Sequence, residues 1–196
     1  MRNRVLSAAF SSFMENGYAG TSMLDIATRA QVSKREIYML CADKSTLLRE
    51  TITERSKQMR IPLEMQPAAD PQQLEKTLTA FGAAILRGVS DNPVLAVFRL
   101  AIAEAGNSPE VAQALGRARH SNRAALSQTL VAAQQRGLIQ PGDAQAMATD
   151  FLGLLWGDLL LQLLLRVVDP PSPQVVQQMA QRATKSFLNL YSCQVR

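Results

Sequence analysis

The sequence predicts an all-α protein of about nine helices, on three observations. Its 196 residues are rich in Ala, Leu and Gln, which favour helices, and hold only 9 prolines and 10 glycines. Polar capping residues recur ahead of apolar runs spaced three and four apart. No stretch alternates polar and apolar residues as a half-buried strand would. With 47% apolar residues and a mean hydropathy near zero, the composition is that of a globular chain.

The first helix is expected over roughly 3–15. Val5, Leu6, Ala9, Phe10, Phe13 and Met14 make its apolar stripe, and Gly17 closes it. Cations followed by apolar residues also open a signal peptide, but the amphipathic spacing and the lack of a cleavage-like segment argue against one. A cytoplasmic protein is expected. A second helix starts after Ser22, with Asp25 three residues on, and a third after Ser33, with Glu36 in the same relation. Both pairs are capping boxes, in which the hydroxyl and the carboxylate satisfy each other's backbone amides. Asp43 caps a fourth helix, whose buried side carries Leu47, Leu48, Thr51 and Ile52.

The run "IPLEMQPAADP" over 61–71 is proline-rich, lacks periodicity and reads as a linker. Beyond it, Asn92-Pro93, Ser108-Pro109 and Ser172-Pro173 each set a polar cap before a proline at the first helical position. Gly137 closes the helix begun at Pro109, Asp143 opens a long helix expected to reach 168, and a last helix covers 173–192. Two domains are therefore expected. A head covers 1–48, with the fourth helix as connector to about 60, and a second domain covers 61–196.

Charge separates these regions. Residues 1–60 hold 10 Lys/Arg against 6 Asp/Glu, whereas 61–196 hold 11 against 10, so most of the net +5 lies in the first third. That is where a polyanion would be met. The segment "FLGLLWGDLLLQLLLRVV" over 151–168 is long enough to test as a membrane span. Asp158, Gln162 and Arg166 draw a polar line along it, and each charge near the bilayer centre would cost about 2.5–3.5 kcal/mol. A helix buried in protein is the better expectation, with no membrane contact. Two cysteines, one histidine, and no paired carboxylates, glycine-rich phosphate loop or metal-ligand cluster predict no enzyme, no metal and no cofactor. His120, the single histidine, is expected on a polar helix side.

The chemistry concentrates in "TSMLDIATRAQVSKREIYML", residues 21–40, two short helices three residues apart. Met23, Ile26, Ala27, Ala30, Val32, Ile37 and Leu40 can form an inner face, leaving Ser33, Lys34, Arg35 and Tyr38 outward. In a helix-turn-helix the second such helix enters the DNA major groove. Helix starts at Ser22 and Ser33 present unpaired amides and partial positive charge, a natural seat for phosphate.

The run from Val5 to Leu48 closely resembles the DNA-binding domain of the TetR (tetracycline-repressor) family of bacterial transcription regulators. The likeness rests on the first helix ending in Phe13, on "NGY" at 16–18, "TSMLDIA" at 21–27, "VSK" at 32–34, Tyr38 and "DKSTLL" at 43–48. It implies that Thr21 or Ser22 anchors a phosphate, that Lys34 and Tyr38 contact backbone or base edges, and that Lys44 holds another phosphate. Arg35 stands where the family often has a small residue, and either reads a guanine or touches phosphate. Three positions depart from the pattern. Gln31 replaces a turn glycine, Leu40 replaces a histidine or tyrosine that holds phosphate, and Cys41 replaces a phenylalanine that locks the third helix to the core.

Half-sites are normally read by two-fold dimers, which need an apolar surface. Leu152, Leu155, Trp156, Leu159 and Leu163 lie on one side of the 143–168 helix, and Leu154, Leu161, Leu165 and Val168 on the other. With the resemblance, this implies a homodimer bundle of this helix and the last one, using Gly153, Trp156, Gly157, Leu161, Phe187 and Tyr191. The second domain is expected to hold a largely apolar small-molecule effector. Phe81, Ile85, Phe98, Ile102, Leu126 and Trp156 line its pocket or are plain core, and Asp158 offers it a polar group or faces solvent. The expected function is a repressor released by that effector from a palindromic double-stranded operator. The alternative is a regulatory interaction protein on the same scaffold with weakened or lost DNA binding.

Overall fold

A computed structural model describes residues 1–58, 67–106 and 109–193, and every regular element among them is a helix. There are ten: α1 (Arg2–Asn16), α2 (Met23–Ala30), α3 (Lys34–Leu40), α4 (Lys44–Gln58), α5 (Pro71–Ser90), α6 (Asn92–Glu104), α7 (Pro109–Gln135), α8 (Ala144–Trp156), α9 (Leu159–Leu164) and α10 (Pro173–Tyr191). The 61–66 part of the expected linker and the expected cap Ser108 lie outside the described residues.

The chain divides into two compact units, Met1–Met59 with Pro93–Ala118, and Arg60–Asn92 with Arg119–Arg196. In the first, α1 packs on α2 and α4. Phe13, Ile26, Ile37, Leu47, Leu48 and Ile52 fill the space between them and are shut off from solvent. Burying such side chains stabilises by about 1.5–3 kcal/mol each, which is what holds a head of short helices together.

The second unit is built on α5, α8 and α10. Its core carries a relay of aromatic rings. Phe81 and Phe151 lie 6.3 Å apart, Phe151 meets Phe187 edge-on at 5.5 Å, and Phe187 meets Tyr191 at 4.9 Å. A Cβ on Gly82 of α5 would stand 3.1 Å from Leu155 Cδ1 and 3.4 Å from Phe151 Cζ, so glycine is what lets α5 lie so close to α8.

One expected element is corrected. The helix expected from 143 to 168 is broken after Trp156, because Gly157 takes φ 45° and ψ −126°, a backbone region open to a residue without Cβ. α9 restarts after Asp158, whose carboxylate accepts from Gln162 Nε2 at 2.7 Å. It ends where Arg166 turns left-handed at φ 58° and the Val167 amide reaches back to the Gln162 carbonyl. Among the described residues, no helix is long and apolar enough to cross a membrane.

Candidate nucleic-acid interface

α2 and α3 are set by the capping boxes that their sequences encode. Ser22 Oγ accepts from the Asp25 amide at 3.1 Å, and the Asp25 carboxylate accepts from the Ser22 amide at 3.0 Å. Ser33 Oγ accepts from the Glu36 amide at 3.2 Å, and the Glu36 carboxylate from the Ser33 amide at 2.7 Å. Hydrogen bonds from Ser22 and from Ser33 hold the Asp25 and Glu36 carboxyls below the usual carboxylate range, so both are ionised at neutral pH. The Ser33 amide and hydroxyl are thus engaged in the cap itself.

The turn between the two helices is made by Gln31, left-handed at φ 53° and ψ 50°. Its amide donates to the Thr28 carbonyl, and the next amide, of Val32, to the Ala27 carbonyl at 3.0 Å. These bonds satisfy the end of α2, but a side chain with Cβ costs about 1–2 kcal/mol in this conformation. Gln31→Gly should therefore raise the stability of the protein by about 0.5–1 kcal/mol after the extra chain entropy of glycine is set against that strain. Urea denaturation of the two proteins measures it.

α1 braces the pair. Arg29 of α2 grips both carboxylate oxygens of Glu15 at 2.7 Å and reaches Ser12 Oγ at 3.2 Å. Ile37 of α3 is wholly buried, and Cys41, just beyond α3, is buried too. Burial pushes the Cys41 thiol above its ordinary range and keeps it protonated. Leu40 is half-buried.

The expected contact residues fall into two groups. Ser22, Lys34, Arg35 and Tyr38 are exposed, Tyr38 by 47%. Thr21 is not. It is 2% exposed, and its hydroxyl donates to the Gly17 carbonyl at 2.7 Å with the Ser12 carbonyl at 3.0 Å. Of the Thr21–Ser22 pair only the serine is exposed, and its hydroxyl is engaged in the cap, donating to the Asp25 carboxylate at 2.6 Å while accepting from the Asp25 amide. Lys44 is half-buried. Its Nζ donates to the carbonyls of Tyr18 and Thr21 at 2.8 and 2.9 Å and lies 4.4 Å from the centre of the Tyr18 ring. It pins the loop after α1 to the start of α4, and a phosphate role would draw on its remaining hydrogen-bonding capacity. A cavity of about 570 Å³ lies here, lined by Ser22, Leu24, Lys34, Tyr38, Asp43 and Lys44. Two outward apolar residues escaped the sequence reading, Leu24 at 61% exposure and Met39 at 76%. The spacing of four from Arg35 to Met39 was the available signal.

In the second unit, burial sorts the leucines of 152–168 largely as their spacing suggested. Leu155 and Leu163 are buried, whereas Leu154, Leu161, Leu165, Val167 and Val168 are exposed, Leu161 by 56% and Leu165 by 65%. Gly153 and Gly157 are exposed, and a Cβ added at either would meet nothing within 4 Å. Trp156 and Tyr191 are half-buried against the core, and the Tyr191 hydroxyl donates to the Asp150 carboxylate. Phe187 is corrected: it is fully buried between Phe151 and Tyr191, and no partner can reach it. Of the expected effector residues, Phe81, Ile85 and Leu126 share one core cluster, with Trp156 packed on it. Asp158 is exposed. Phe98 and Ile102 belong to the other unit, where Phe98 is buried and Ile102 is 59% exposed.

A helix-turn-helix with an exposed cationic α3, carried on an otherwise all-helical chain, defines a class: the DNA-binding transcription regulators. Residues 5–51 match bacterial regulatory proteins of the tetR family, and residues 76–193, more than half of the chain, match the C-terminal domain of AefR-like transcriptional repressors. The chain belongs to the TetR family, whose members are regulators and not enzymes. Among solved structures it is similar to a TetR regulator from Agrobacterium tumefaciens, at 26% identity and a TM-score of 0.85, covering 98% of this chain and 94% of that one. It is similar to the flavonoid-responsive regulator FrrA at 25% identity and 0.83, covering 99% and 98%. A TetR family regulator from Pseudomonas syringae pv. tomato str. DC3000 follows at 28% and 0.72, covering 97% and 96%. No curated protein matches.

Proposed function

We propose that this DNA-binding regulator is a homodimeric repressor, acting in the cytoplasm, that holds a palindromic operator and is released from it by a small, largely apolar effector. In this reading residues 1–48 are the head, α4 is the connector, and 61–196 bind the effector and form the dimer. The observation that carries it is the outward face of α3. Lys34, Arg35 and Tyr38 stand in solvent on a helix whose opposite side, at Ile37, is sealed into the head. One such head makes few contacts, and a two-fold pair reading half-sites one turn apart makes enough. The exposed Leu161 and Leu165, four residues apart, give α9 and its end an apolar surface suited to the dimer, and Leu154 of α8 is exposed as well.

Repression is supported by the AefR-like description that matches residues 76–193. An apolar effector is supported by the similarity to a flavonoid-responsive regulator. Such a ligand acts by preferring the conformer whose heads are wrongly spaced, and a strong response needs a preference of several kcal/mol.

Binding of a duplex selected by this protein from a random-sequence pool tests the reading, with salt titrated. Two heads that neutralise at least four phosphates predict a log–log slope of about −3.5 or steeper. A slope near zero would refute operator gripping through the backbone.

A further inference from the structure

We propose that Met39 reads a thymine in each half-site, through the 5-methyl group of the base, beside the base pair that Arg35 faces. This rests on the operator-binding reading above and adds a sequence determinant to it.

The argument begins with the direction of each side chain on α3. Successive residues of a helix are turned by about 100°. Ile37 has no exposed surface and so marks the inward direction. The opposite direction falls between Arg35 and Met39, each about 20° from it by that rotation. Lys34 and Tyr38 lie on one flank, and both line the cavity they share with Ser22 and Lys44. Glu36 lies on the other flank, with its carboxylate folded back onto the Ser33 amide. The crown of the helix, which goes deepest into a groove, is therefore formed by Arg35 and Met39.

Met39 is 76% exposed, more than any other large apolar residue among those described. An exposed thioether on a helix that is otherwise polar outward contributes nothing to the head's own core. The major groove offers one apolar group to such a side chain, the thymine methyl; the other base edges carry hydrogen-bond donors and acceptors that a thioether cannot match well. Arg35 and Met39 are four residues apart, about 6 Å along the axis. Base pairs are stacked about 3.4 Å apart, so the thymine should lie within about two base pairs of the one that Arg35 faces. The flexible, unbranched methionine can follow the methyl without a fixed rotamer.

The test uses the full chain and a duplex that it selects from a random pool. Each thymine is replaced in turn by deoxyuridine, which keeps every hydrogen-bonding group and loses only the methyl. The expected result is one thymine per half-site at which affinity falls about fourfold, the ratio that corresponds to the ~0.8 kcal/mol of one buried carbon group. Met39→Ala should abolish that difference while the other positions respond as before, and Met39→Leu should keep part of it. If no thymine responds, or if Met39→Ala weakens the thymine and uracil duplexes equally, Met39 packs on backbone and the proposal falls. If no duplex is selected at all, the operator reading fails instead. Unchanged melting temperatures for both variants, expected at so exposed a site, separate any loss from unfolding.

Discussion

Replacing Lys34, Arg35 and Tyr38 together by alanine should lower operator affinity about a thousandfold or more, down to the level of non-specific DNA. A base or phosphate contact of this kind is worth about 1–3 kcal/mol, and in a dimer each is lost twice. The salt slope should flatten as well, by about two for the paired loss of the Lys34 contact. The fold should survive, because all three side chains stand in solvent and alanine is at least as good a helix former. Fluorescence anisotropy at several salt concentrations, beside thermal melts, checks both halves of the expectation. Retained affinity with an intact fold would move the interface off α3.

The second large effect is expected at the apolar patch. Leu161→Glu with Leu165→Glu should turn the dimer into a monomer, shifting the dissociation constant by about three orders of magnitude or more. Each leucine withdrawn from water contributes about 1.5–3 kcal/mol, and the two-fold axis counts it twice. Carboxylates placed there add a desolvation cost. The free chain should remain folded, since these side chains are 56% and 65% exposed in it. Ile102→Glu, at a residue 59% exposed in the other compact unit, is the control and should leave the dimer intact. Sedimentation of the three proteins reads the result, and a double variant that still sediments as a dimer would place the interface elsewhere.

The contrast between these leucines and their neighbours shows what could be read without coordinates. The caps were legible because they are local. Ser22, Ser33, Asp43 and Ser172 each accept from an amide three residues on, as their spacing to the following apolar run implied. The left-handed turn at Gln31 was signalled only by the resemblance, in which a glycine holds that position. The two stripes of 152–168 were legible as periodicity, and burial divides most of them accordingly.

What escaped was non-local or degenerate. Gly157 fits inside an apolar helical pattern, so nothing in the pattern announced the break that its positive φ makes. Phe187 follows the helical spacing of an interface residue and of a core residue equally well, and only the packing of Phe151 and Tyr191 around it decides. The engagement of Lys44 depends on the carbonyls of Tyr18 and Thr21, more than twenty residues back, which no local rule brings near. Phe98 and Phe81 share a residue type, yet they lie in different compact units. Outward residues on α3 were partly legible. Their charges drew notice, and the most exposed of the apolar ones, Met39, did not.

The central claim is that two copies of α3 grip one operator together, a turn apart. Inserting five base pairs at the dyad of a selected operator turns one half-site about half a turn away from the other, while every base in both is preserved. The account predicts that affinity drops to that of a lone half-site. Undiminished binding to the lengthened duplex would mean that the heads act singly, contradicting the paired grip.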